Sequence, residues 1–399
     1  MADYGKVPSN AQIQPTPFKS AIPEEKLAEF KQLIKLSPIG PATYENQQAD
    51  RRWGMNRQWL VDAKKYWESE YDWRRCEKHI NSFPNFTIPI KDDDGEEFNV
   101  HFIALFSEKR DAVPLALFHG WPGSIIEFLG VLGLLKDKYS PAELPYHVIV
   151  PSLPGYAFSS GPPLSRDFTA SDLPRIMNKL LVALGFGSGY VAQGGDIGSF
   201  IARQLGVDYE ECKAVHQNMA IISQPENVEK LHQEEIEQKA MLRLKAFRDT
   251  GSAYMQEHAT RTATIGLALS ASPIALLSWI GEKFLEWTDE DPSLDTILDD
   301  VSLYWLTETY ARCIYPYRGL VGRNRSDNSY IKKPFGFSWF PKEITPIPKS
   351  WIELTGDLVY FKRHEAGGHF AALEKPKELL EDVEEFVKQV WKKDANAKL

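Results

Sequence analysis

Four apolar runs in the middle of the chain constrain its fold most. AVPLALFHGWPGS (112–124) reads as a buried strand and a turn. YHVIVPSLPGYAFSSGPP (146–163) reads as a strand leaving into a long loop, and GYVAQGGDIGSFIARQLG (189–206) as strand, sharp turn and helix. CKAVHQNMA (212–220) is one more short strand. Strands that are apolar throughout are covered on both faces, and such strands joined by helical patterns form a parallel sheet between helical layers. The expected class is therefore α/β, with a mostly parallel sheet.

The alternation stops near residue 225. From there to about 325 only helical patterns occur, including ENVEKLHQEEIEQKAMLRLKAF, SPIALLSWIGEKFLEW and VSLYWLTETYARCIY. Strands resume with GFSWFPKE and SWIELTGDLVYF, and LLEDVEEFVKQVWKK closes the chain as an amphipathic helix. Upstream, IPEEKLAEFKQLIKL puts Leu27, Phe30, Leu33 and Ile34 on one face. NRQWLVDAKKYWESEYDW reads as a second amphipathic helix, and SFPNFTIPIKDDDGEEFNVHFIALF as strand, polar turn, strand. The expected division is an extension at 1–95, a core at 96–224, a helical lid at 225–325 and the rest of the core at 326–399. A helical insertion between strands of such a sheet sits over their carboxyl ends, where ligands bind.

Charge and cysteine content narrow the function. The net charge is −9, without a long block of like charge. Nucleic acid is not an expected partner, because phosphate neutralisation needs clustered Lys and Arg. Cys76, Cys212 and Cys313 are odd in number and far apart, which suits neither a disulfide framework nor a zinc site. The first twenty residues lack the apolar core of a secretory signal. Residues 262–281 carry no charge but contain Pro273, three serines and two glycines, which favours a lid helix pair over a membrane span. A soluble, cytoplasmic protein without a membrane anchor is expected.

Three motifs carry chemistry. Gly194-Gly195-Asp196-Ile197-Gly198 places an acid at a tight strand-to-helix turn with small neighbours. Such a turn holds a nucleophile in strained backbone. A carboxylate there attacks a carbon bearing a strained or good leaving group and forms an ester. The competing reading is a helix N-cap, which Asp also favours. No G-x-S-x-G occurs. His119-Gly120-Trp121-Pro122-Gly123 follows a strand, where the loop supplies one backbone donor of an oxyanion hole; the other comes from the residue after the nucleophile. The donors would be Trp121 and Ile197. HEAGGHFAALEKP holds His369 on a late loop, the place of a general base in this chain order. His364 and His369 are one residue too far apart for H-E-x-x-H. GFGSGY precedes its strand, unlike a dinucleotide loop, and DDDG lacks calcium-loop spacing and reads as a hairpin turn.

With YDWRRCEKHINSFPNF, HGWPGS, PSLPGYAFSSGPP, QGGDIGS and GGHFAALEKP on nearly its whole length, the chain resembles the epoxide hydrolases of the α/β-hydrolase fold. It is similar to the microsomal type and its soluble fungal members. The resemblance implies Asp196 as nucleophile, His369 as base and Glu343 as the acid orienting it, with Asp357 a weaker rival. It implies Tyr254 and Tyr317 as lid acids, with Tyr315 close to the second. It also implies an epoxide and water as substrates, no cofactor or metal, and a homodimer. Many relatives carry Trp where this chain has Ile197, and T-x-P where it has Thr260-Arg261-Thr262. Two other readings fit an acid elbow: a haloalkane dehalogenase, which uses a Trp after the nucleophile as a halide donor, and a non-catalytic receptor on the same scaffold.

Overall fold

A computed structural model describes residues 3–320 and 329–391. Nine strands form one sheet in the order β1-β2-β3-β5-β4-β6-β7-β8-β9. They are β1 (Thr16–Phe18), β2 (Asn85–Lys91), β3 (Glu97–Leu105), β4 (Val113–Phe118), β5 (Tyr146–Pro151), β6 (Tyr190–Gly194), β7 (Cys212–Gln217), β8 (Ile331–Trp339) and β9 (Gly356–Arg363). β1, β2, β3 and β5 pair antiparallel in succession, and from β5 to β9 every pairing is parallel. Every residue of β4, β5 and β6 is buried. That burial is why these three runs lack the alternation of a half-exposed strand. The fold is the α/β class expected from their pattern.

Local chemistry refines three readings. The second amphipathic pattern forms one helix, Arg57–Ser69, which starts at Asn56, whose side chain accepts from Trp59 N; a further helix, Trp73–Ile80, begins where the pattern ends and is capped by Asp72 through Arg74 N at 2.9 Å. Each helix thus opens on its own cap residue. SWIELTGDLVYF is strand only from Gly356; Lys349–Ile352 is a helical turn after Pro348, which buries the adjacent Trp351 and Ile352 together. β1 went unread, because three residues that follow Pro15 and contain Pro17 carry no periodicity. DDDG is the β2–β3 hairpin turn, with Asp92 N donating to Glu96 O at 2.7 Å.

Between β7 and β8 the described residues form helices only. The uncharged stretch is a bent pair, Thr262–Leu269 and Pro273–Trp287, meeting at 116°. Among the described residues no single helix is long and apolar enough to cross a membrane. The helical layer is braced from the N-terminal side. Phe30 stacks on Trp305 at 6.1 Å, Trp67 Nε1 donates to Ser302 Oγ at 3.1 Å, and Arg51 pairs with Asp291. The three cysteines are buried and free.

Candidate active site

β6 ends at Gly194, and Asp196 opens the helix Asp196–Asp208 with φ of 47°. That is the left-handed region, costly for a residue with a Cβ. The carboxylate does not cap its own helix; Gly195 stands at the cap position without a side-chain bond. Instead Asp196 Oδ1 accepts from Trp121 N at 2.8 Å. The turn is tight enough to demand glycine. A Cβ on Gly198 would lie 2.1 Å from Phe118 O, so the helix sits directly against the end of β4.

The loop after β4 is equally close. A Cβ on Gly120 would lie 2.1 Å from Asp196 Oδ1 and 2.6 Å from Ile197 N. Trp121 N and Ile197 N thus belong to one corner around the carboxylate. Tyr304 of the helical layer fixes this loop from above, donating to Gly123 O at 2.8 Å.

His369 follows β9 and Glu343 follows β8. His369 Nδ1 lies 2.8 and 3.0 Å from the two oxygens of Glu343, and Nε2 lies 3.4 Å from Asp196 Oδ2. A carboxylate accepts, so Nδ1 carries the proton that faces Glu343. Glu343 Oε1 also accepts from Ile344 N and Thr345 N. Both residues are buried. Burial lowers the His369 pKa, but Glu343 and Asp196 outweigh it and raise the imidazole to about 10. Asp357, the rival acid, is exposed at the start of β9 and does not reach this histidine.

The helical layer covers the carboxylate with aromatic side chains. Tyr254 stacks on Trp121 at 5.2 Å and meets Tyr317 edge-on at 5.7 Å. Trp287 stands edge-on to His369 at 5.1 Å, and its carbonyl accepts from His369 N. Burial, Tyr254 and Asp196 together push the Tyr317 phenol well above its usual range. Tyr315 is turned elsewhere, its hydroxyl donating to Pro154 O at 3.1 Å. Beside Asp196 and His369 lies a small space with room for a water, lined also by Gly120, Trp121 and Glu127. Among the described residues no cluster of three His, Cys, Asp or Glu is placed to hold a metal; His364 instead bonds Asp382 at 2.6 Å.

Residues 15–128 match the epoxide hydrolase N-terminus family, and residues 113–270 match the alpha/beta hydrolase fold family. Epoxide hydrolase 1 of Oryctolagus cuniculus is 31% identical over 93% of this chain and 88% of its own length. The structure of Aspergillus niger epoxide hydrolase is 51% identical over 98% of this chain and 100% of that one, with a TM-score of 0.93. This chain belongs to the epoxide hydrolase family. Juvenile hormone epoxide hydrolase of Bombyx mori also superimposes, at TM-score 0.84 and 25% identity, over 98% of this chain and 99% of that one.

This epoxide hydrolase holds groups at the site that its motifs do not announce. Glu127 lines the same small space as Asp196 and His369. Its carboxyl fills the volume a side chain at 123 would need, with Oε1 1.4 Å from a Cβ built on Gly123. Burial first, then Asp300, pushes its pKa well up, which disfavours its charged form. His258 lies one helical turn beyond Tyr254, with edge-on contacts at 4.8 Å to Tyr317 and 4.5 Å to Trp121. The i, i+4 spacing was the available signal for it. Lys283 lies under Tyr254 and had no signal, since it occupies an ordinary amphipathic helix.

Proposed function

We propose that the enzyme opens epoxides of apolar aryl or alkyl type to vicinal diols through an ester on Asp196. The observation that carries this reading is the unequal engagement of the two Asp196 oxygens. Oδ1 is held by Trp121 N, whereas Oδ2 faces His369 at 3.4 Å. Oδ2 is the attacking atom. It bonds an epoxide carbon as the ring C–O bond breaks, and a lid phenol gives its proton to the departing oxygen. Oδ1 stays in its corner as the ester carbonyl.

Water then attacks the ester carbon. His369 takes a proton from it, and Trp121 N and Ile197 N hold the charge that develops on Oδ1. The Cγ–Oδ2 bond breaks, and Oδ2 leaves with the diol. The proton released on ester hydrolysis restores the phenol, so the sum is epoxide plus water to diol. His369 changes character between the halves. Beside the Asp196 carboxylate it is a cation, since its pKa is about 10. Ester formation removes the Asp196 charge, and with it one of the forces that keep the imidazole protonated. The imidazolium then loses its proton to solvent, regaining one once the Asp196 carboxylate is restored, so a base is free when water is to be activated. The aromatic wall of Trp121, Tyr254, Trp287 and Tyr317 supports an apolar substrate.

The test is a single turnover in heavy-oxygen water with enzyme in excess over an aryl epoxide. The heavy atom is expected in the Asp196 peptide, with the diol carrying the unlabelled enzyme oxygen. Label in the diol with none in Asp196 means direct attack by water, and the ester route is wrong.

A further inference from the structure

Lys283 is among the most buried charged side chains of the enzyme, with 5% of its surface exposed. Its ammonium lies 5.0 Å from the ring centre of Tyr254 and 5.4 Å from that of Trp279. Among the described residues no other cation lies over the ring of Tyr254, and none lies over that of Tyr317. A buried ammonium is expensive, and this one is kept against a single lid phenol.

The aromatic side chains packed on Tyr254 supply no positive charge. Trp121 stacks on one face, and Trp287 and Tyr317 pack at 5.3 and 5.7 Å. His258 is edge-on at 5.5 Å. Its Nε2 accepts from Trp279 Nε1 at 3.1 Å, and an indole nitrogen can only donate, so the proton sits on Nδ1. Burial, then Lys283, lowers His258 to about 3, which leaves it neutral. On the Lys283 side, Glu282 pairs with the ammonium. Glu286, one turn along, is raised by burial and by Glu282. Glu282 is 25% exposed, so its charge is partly screened by water while the ammonium lies dry against the rings. Tyr317 has the opposite surroundings, facing Asp196 and Tyr254, both of which oppose its ionisation.

We infer that the two lid tyrosines are not equivalent: Lys283, through its cation over the ring, makes Tyr254 the phenol that surrenders its proton to the epoxide oxygen, while Tyr317 only donates a hydrogen bond. The inference rests on the ester route proposed above and deepens it. As Oδ2 of Asp196 bonds carbon and the ring C–O bond breaks, the Tyr254 proton moves to that oxygen. The tyrosinate left behind spreads charge into its ring, where the ammonium stabilises it. Ester hydrolysis returns the proton. Lys283 touches no reacting atom and acts as a positioning residue for charge.

The experiment measures ester formation by rapid quench and intact-protein mass spectrometry, from pH 6 to 10, in a His369→Gln background. Ester formation needs the protonated phenol, so its rate falls on the alkaline side as Tyr254 ionises. Removing the cation weakens the acid: Lys283→Met is expected to slow ester formation at pH 7 by about three- to tenfold, yet move the alkaline fall upward by about half to one and a half pH units. Glu282→Gln unmasks the cation and is expected to move the fall downward. Loss of packing slows the reaction without moving the two variants in opposite directions. Both falls unmoved, or moved the same way, overturns the assignment. Should Lys283→Met fail to fold, an unmoved fall in the partly exposed Glu282→Gln overturns it alone. A background that forms no ester at any pH overturns the ester route itself, and this assignment with it.

Discussion

His369→Gln is expected to take up one equivalent of substrate as a covalent ester and then nearly stop, with steady-state turnover down by roughly 10²–10⁴-fold. Asp196→Ala is expected to take up none and to form no diol. The contrast follows from the division of the site. In the proposed route Asp196 Oδ2 and the lid phenols suffice for ring opening, and neither needs a base. Hydrolysis of the proposed ester does, and among the described residues His369 is the one that contacts both Glu343 and the Asp196 carboxyl. The size is that of one lost general base, since the oxyanion corner proposed at Trp121 and Ile197 stays intact. Mass spectrometry of the intact protein, quenched within seconds of mixing, reads both variants. Equal turnover in His369→Gln and wild type would mean that water is activated by a group other than His369. Covalent uptake in Asp196→Ala would remove Asp196 from the nucleophile's place.

The sequence carried some of this site plainly and hid the rest for physical reasons. The elbow was legible because close backbone approach demands glycine: Gly198 rests against Phe118 O, and no other residue type fits. The strands around it were legible because burial on both faces removes alternation. The acid partner of His369 was not legible from residues alone. Glu343 and Asp357 both follow or open an apolar strand, and only the resemblance preferred the first. Their difference lies in which end of the sheet each occupies. Glu343 follows the carboxyl end of β8, while Asp357 opens β9 at its amino end. Lys283 and Glu127 were hidden more deeply. Each sits in an ordinary helical pattern, and its meaning comes from a side chain brought over it from another part of the chain. Tyr254 covers Lys283, and the elbow acid faces Glu127 across the cavity.

The same lesson gives the largest stability effect expected outside the site. DDDG looks like a solvated turn, yet the Asp92 side chain is 1% exposed. Its Oδ1 accepts from Arg175 Nε at 2.7 Å, and Oδ2 accepts from Arg175 Nη2 at 2.8 Å and Arg166 Nη2 at 2.6 Å. Arg175 also reaches Asp172 at 2.7 Å, so this one carboxylate ties the β2–β3 hairpin to the helix Leu173–Leu181. The bond from Arg175 holds the Asp92 pKa below the ordinary carboxylate value. A carboxylate with a depressed folded pKa stabilises above its unfolded pKa, near 4, and that contribution is lost as pH falls through the folded value. At pH 7 it is fully present. Asp92→Ala removes the buried partner of two arginines that keep Asp172 and Asp94, and it is expected to cost about 2 kcal/mol, the loss of hydrogen bonds to a charged group, because the guanidinium side chains remain 26% and 28% exposed. Urea unfolding of Asp92→Ala, Arg175→Ala and the double variant measures it. If the pair acts as one unit, the double variant costs much less than the sum of the singles. Additive losses, or a cost below about 1 kcal/mol for Asp92→Ala, would reduce the cluster to an ordinary surface ion pair.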